Sequence, residues 1–177
     1  ALIAISPNMK ERGWLNLAHL LVSLFTMAGV VIASAASFYP GTNPRNLSYS
    51  SPFSRLSIWL LISVLALFIS GAIVKASDIG NVCTSWPLCS PEVFPQNLAE
   101  AFNLIHRGLV GLSGLLMGIV LMKAWRGQRT QTTVLTAATA TAVLFFAQAL
   151  LGAKLVQGFP THLIWLHQAT AIASWGT

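Results

Sequence analysis

Ala101 to Trp125, AFNLIHRGLVGLSGLLMGIVLMKAW, is an apolar run long enough to cross a bilayer, and it carries a His-Arg pair near its start. An imidazole inside hydrocarbon is costly unless it is paired or bound to something, so His106 is a functional-site candidate by default. On a 3.6-residue repeat His106 shares a face with Leu109, Val110, Ser113 and Met117, with Asn103 one turn toward the N-terminus. Gly108, Gly111 and Gly118 fall on other faces, while the Gly114-x-x-x-Gly118 spacing predicts close approach of a neighbouring helix. One face of this helix serves packing and another a ligand.

The rest of the chain fits that reading. Of 177 residues, 55% are hydrophobic and 8% charged, with a mean hydropathy of +0.70, more apolar surface than one soluble core hides. The fold class is an all-α integral membrane protein. Ten Lys and Arg against four Asp and Glu give +6. In this class that excess marks loops facing anionic lipid and the cytoplasm, and no basic stripe tracks a nucleic acid.

Five spans follow in order. Ala1 to Gly13 reads as a membrane-surface segment, and Trp14 to Ser37 as a first span whose His19 is an interfacial residue. Phe38 to Arg55 is a polar connection and Leu56 to Ala76 a second span. Ser77 to Glu100 is the longest polar connection, and it holds Cys83 and Cys89, spaced to close a small disulfide loop or to stand as two thiols. A cysteine pair in a loop of a membrane protein points to the oxidising side. Lys123, Arg126 and Arg129 cluster in one short loop after the third span, which the positive-inside rule places in the cytoplasm. Thr133 to Val156 is a fourth span, and a fifth begins at His162. Only about 24 Å of helix remains for it at 1.5 Å per residue, short of the roughly 30 Å hydrocarbon core. The chain therefore reads as part of a longer protein, organised as residues 1–55 with an extra helix and linker, and 56–177 as a four-helix bundle.

His106 and His167 each lie early in a helix leaving the same side of the membrane, so both imidazoles sit at similar depth. Two histidines on different helices of a bundle can hold a haem iron between them. The alternative is that each hydrogen-bonds a neighbouring helix. Lys75, Arg107 and Lys154 lie at helix ends near that level and are candidates to pair with acidic groups of a ligand.

The segment Val74 to Cys89, VKASDIGNVCTSWPLC, resembles without gaps the outer-loop signature of the haem A synthase family, through Val74, Gly80, Cys83, Trp86, Pro87 and Cys89. His106-Arg107, Gln148 to Gly152 and Leu166-His167 resemble, in the same order, that family's Glu-x-x-His-Arg, Gln-x-x-Leu-Gly and Leu-His. Asp78 stands where the family has Gly, Thr84 where it has Pro, and Asn103, at the catalytic position, where it has Glu. An amide takes up no proton, unlike a carboxylate. The resemblance covers Leu56 to the end and corresponds to the N-terminal four-helix repeat of that family.

What the resemblance implies is an enzyme that oxidises a ring methyl of haem O to the formyl group of haem A for cytochrome oxidase. His106 and His167 would hold or position the haem, Lys75 and Arg107 would face its propionates, and Cys83 and Cys89 would take part in redox chemistry or haem handover. The cofactor is then haem, as haem O and haem A or as haem b. Partners would be membrane lipid, haem O synthase, cytochrome oxidase assembly factors or a larger membrane complex. The location would be a bacterial cell membrane or the mitochondrial inner membrane, with the cysteine loop extracytoplasmic. The competing reading is a non-catalytic relative that binds haem as an electron-transfer or structural subunit of a larger complex.

Overall fold

A computed structural model of the chain describes residues 9–38, 51–89, 94–158 and 160–177. The segment ahead of Met9, most of the Phe38 to Arg55 connection and part of the Ser77 to Glu100 connection lie outside the described residues. Five α-helices follow one another: α1 (Met9–Phe38), α2 (Pro52–Ala76), α3 (Leu98–Gly127), α4 (Thr132–Leu155) and α5 (Thr161–Trp175), with one 3-10 turn at Gly80–Val82. Among the described residues there is no strand, and four helices, all but α5, are long and apolar enough to cross a membrane. The protein is an integral membrane helical bundle.

Local chemistry sets the helix ends. Helix α2 starts four residues before the apolar run because Ser51 accepts the Ser54 N–H at 3.0 Å and Pro52 follows it, its preset φ suiting a first helical position. Asn97 caps α3 by accepting the Glu100 N–H at 2.9 Å, and the Glu100 carboxylate accepts from Gln96 N and Asn97 Nδ2. The basic cluster expected in a loop is mostly helical. Helix α3 continues through Lys123 and Arg126 to Gly127, since these residues favour helix and their charge suits a helix C-terminus.

Helix α2 ends in a Schellman motif, with Ile79 N–H on the Val74 carbonyl at 3.2 Å and Asp78 N–H on the Lys75 carbonyl at 3.1 Å. Asp78 has φ 53°, the left-handed conformation that glycine adopts without strain and that Asp tolerates better than most residues. The departure from the family's Gly at this position therefore keeps the turn.

Consecutive helices from α2 to α5 pack on one another, and Phe68 of α2 meets Trp175 of α5 edge-on at 5.6 Å, closing the ring. This makes α3 and α5 diagonal. The core centres on Met117, Ala142 and Phe145, flanked by Leu60, Leu67, Val110 and Leu121. Asn103, Ser113 and Met117 are buried, and they lie on the face that periodicity gives to His106. Ser113 Oγ donates to Ser63 Oγ at 3.2 Å, so the polar atoms of this face are paired across to α2. The paired-glycine expectation holds only in part. A Cβ on Gly114 would stand 3.2 Å from the Phe145 ring, whereas Gly118 has nothing within 4 Å, having rotated off the contact over the intervening turn.

Helix α1 lies over the α2–α5 side of the bundle. Trp175 Nε1 donates to the Leu24 carbonyl at 3.0 Å, and a Cβ on Gly13 would collide with the Ala76 carbonyl. The start of α1 is thus at the same end as the cysteine loop. Large apolar side chains such as Trp59, Leu61, Leu115, Val143, Leu150 and Trp165 point outward, as lipid-facing residues do.

Candidate functional site

His106 rests against the backbone of α2. A Cβ on Gly71 would stand 2.9 Å from His106 Cε1, 3.4 Å from Nδ1 and 3.7 Å from Nε2, so only glycine leaves room for the ring. Ser70 Oγ lies 2.9 Å from His106 Nδ1 and donates its own hydrogen to the Leu67 carbonyl at 2.8 Å. With that hydrogen on the Leu67 carbonyl, the hydroxyl oxygen can accept from Nδ1–H, the tautomer that leaves the lone pair on Nε2.

His167 repeats the arrangement one helix pair later. A Cβ on Gly152 would stand 3.1 Å from His167 Cε1, 3.8 Å from Nδ1 and 4.0 Å from Nε2. Both rings therefore turn their Nδ1–Cε1–Nε2 edge to the glycine, with Cε1 closest. Here no serine precedes the glycine; Leu151 occupies that position. The Gln148 backbone carbonyl interacts with the ring as the Leu67 carbonyl does with His106, yet the buried Nδ1 of His167 makes no hydrogen bond. Thr170 donates to Gln148 Oε1 and ties α5 to α4 one turn from the histidine. The two imidazoles, on diagonal helices, are close enough to interact electrostatically.

Above His106 sits the loop closed by the Cys83–Cys89 disulfide, of the two states the spacing allowed. Arg107 holds it there: Nη1 lies within donating distance of the carbonyls of Ser85 (2.6 Å), Leu88 (3.0 Å) and Pro87 (3.1 Å), and Nη2 of that of Cys83 (3.5 Å). The buried Asn103 donates both amide hydrogens to backbone, to Ile79 O at 2.8 Å and Ala99 O at 2.9 Å, fastening the start of the same loop to α3. Glu100 is engaged in the α3 cap. Lys75 and Lys154 are exposed at this end of the bundle, and His19 and His162 are exposed too.

His106 and His167 are thus brought together, with Arg107 and Asn103 bound to the loop above them. Gly71, Gly152 and Ser70 escaped the sequence reading as parts of this site. Their signal was the repeated Gly-Ala pair near the end of α2 and of α4, Gly71-Ala72 and Gly152-Ala153. Two surface grooves of about 500 and 630 Å³ are lined by other residues, one by Thr132, Thr136 and Thr177 and the other by Phe53, Lys123 and Arg126; neither touches a histidine.

The chain is 39% identical over 115 residues to a protoheme IX farnesyltransferase of Chloroflexus aurantiacus, a match covering 63% of this chain and 19% of the relative. It is 32% identical over 104 residues to the heme A synthases of Bacillus mycoides and Bacillus cereus, covering 57% of this chain and 33% of each relative. The matched stretch is therefore at most a third of the length of these curated relatives. The family model described as cytochrome oxidase assembly protein, COX15-CtaA, matches residues 4–177. With its helical membrane bundle and its pair of seated histidines, the chain belongs to the COX15-CtaA family of cytochrome oxidase assembly proteins.

Proposed function

We propose that this chain forms a membrane haem site in haem A biosynthesis, in which His106 and His167 would hold the iron of a haem whose ring methyl is oxidised to a formyl group. The observation carrying this reading is the equivalent seating of the two imidazoles against glycines, from diagonal helices, each with Cε1 turned to its seat. A flat macrocycle suits such a pair, because the missing Cβ atoms let the rings withdraw toward the helix backbones. Held there, haem iron supplies redox chemistry that no side chain of this site has.

The chain's own residues bind and orient. Ser70 orients the His106 ring, Arg107 and Asn103 hold the disulfide loop as a cover over the site, and Lys75 and Lys154 would meet the propionates, with Arg107 adding the N–H groups its loop bonds leave over. The relatives' names support the pathway: one farnesylates protoheme IX and others make heme A, and both concern the same ring. An enzyme that delivers farnesylated haem is the partner this reading calls for.

A second reading has one observation in its favour. Both amide hydrogens of Asn103 are engaged, one of them in fastening the loop, so the position where the family carries a carboxylate has a structural task in this chain, as expected of a haem-binding subunit without turnover. The two are separated as follows. Purified protein loaded with haem b should give a low-spin spectrum that His106→Ala or His167→Ala abolishes, because each removes one nitrogen that would hold the iron. Haem O with an electron donor and dioxygen should then give the formyl product by mass spectrometry. Product appearing only after Asn103→Glu would select the second reading, and no haem uptake at all would defeat both.

The proposed location has the disulfide loop extracytoplasmic and Arg126 cytoplasmic. Impermeant thiol reagents applied after mild reduction should reach Cys83 and Cys89 from outside intact cells, and a cysteine introduced at Gln128 only after the membrane is opened. The reverse pattern sinks this topology.

A further inference from the structure

We infer that, if haem is held as proposed, the two histidines are unequal ligands: Ser70 makes His106 the anchored one, and His167 is the one that lets go, opening its face of the ring to a small ligand such as dioxygen or carbon monoxide.

A histidine bound to a metal through one nitrogen is held and made more basic when its other N–H has an acceptor, and losing that acceptor typically lowers metal affinity by roughly 10–100-fold. His106 has such an acceptor in Ser70 Oγ at 2.9 Å, itself anchored on the Leu67 carbonyl. His167 Nδ1 is buried and makes no hydrogen bond. The contrast is sharp because the two seats otherwise match. Gly71 and Gly152 approach the same ring atoms in the same order, and the residue before each glycine is Ser70 in one case and Leu151 in the other. The hydroxyl is the difference between the two halves of the site, which makes Ser70 a positioning residue acting through His106.

The test uses the full chain in lipid nanodiscs, loaded with haem b and reduced. His167→Ala should retain haem roughly 10–100-fold more tightly than His106→Ala, and should bind carbon monoxide readily. In the His167→Ala protein, Ser70→Ala should lower the iron–histidine stretching frequency seen by resonance Raman, and Ser70→Thr should keep it, a signature that a merely structural role for the serine would not move. In the His106→Ala protein, Leu151→Ser should recover haem retention by giving His167 the missing acceptor. Equal retention in the two histidine variants, the reverse order, or a frequency indifferent to Ser70→Ala would overturn the inference while leaving the haem reading intact, provided the unsubstituted protein binds haem. Absence of haem from the unsubstituted protein would overturn both.

Discussion

Gly71→Ala is expected to reduce haem retention by roughly 10–100-fold while leaving the bundle folded. The added Cβ would stand 2.9 Å from His106 Cε1, closer than real Cβ contacts allow, and the atom it meets is the tip of a side chain, so the imidazole swings away and the helices stay where they are. Thermal stability should hold or rise, since alanine is favoured over glycine in a helix by about 1 kcal/mol. Gly118→Ala is the control: nothing lies within 4 Å of its Cβ, and it should show the stability gain without the loss of haem. Haem titration and thermal melting of the same three proteins check this. A Gly71→Ala protein that binds haem like the parent would mean that His106 does not use this seat when it is loaded. Gly152→Ala should act in the same direction and more mildly, its Cβ reaching 3.1 Å from the His167 ring.

Arg107→Ala is expected to release the disulfide loop. One guanidinium reaches four carbonyls of that loop, and hydrogen bonds to charged groups contribute about 1.5–3 kcal/mol each where they are sheltered. Three carbonyls share one nitrogen and the side chain is partly exposed, so a net loss of about 2 kcal/mol is the expectation. It should appear as faster reduction of the Cys83–Cys89 disulfide by dithiothreitol and as new protease cleavage between Thr84 and Leu88. Arg107→Lys should not restore the parent behaviour, because a single ammonium cannot span the forked set of acceptors. An unchanged reduction rate in Arg107→Ala would show that the covalent ring alone positions the loop. The Cys83→Ser, Cys89→Ser double variant completes the comparison, since opening so short a ring should cost about 2 kcal/mol by itself.

Much of this molecule is legible in its sequence, for reasons that lie in local chemistry. Runs of apolar residues as long as α1 to α4 have one stable form in hydrocarbon, a helix, because every backbone hydrogen bond must close within the segment. Periodicity then assigned Asn103, Ser113 and Met117 to one face of α3, and that face is buried. The spacing of Cys83 and Cys89 allowed a disulfide, which the fold contains. Helix ends were less legible: Ser51-Pro52 and the α3 cap at Asn97 are signals in the sequence, yet hydropathy masks them because polar capping residues look like loop.

Only the tertiary structure decided what each histidine touches. That His106 lies on Gly71, His167 on Gly152, and that Ser70 serves one ring with no counterpart for the other depends on the register between helices far apart in the chain. The direction of Arg107 belongs here too. Helix periodicity places it beside His106 at the mouth of the bundle, but whether its guanidinium turns to a ligand or to the loop depends on where the disulfide ring folds back, and that ring is positioned by Asn103 and by the Asp78 turn. Bilayer physics acts on each segment alone and can be read from composition, whereas the site is a matter of contacts between segments, set by side-chain shape at a scale of tenths of an ångström that no single segment encodes.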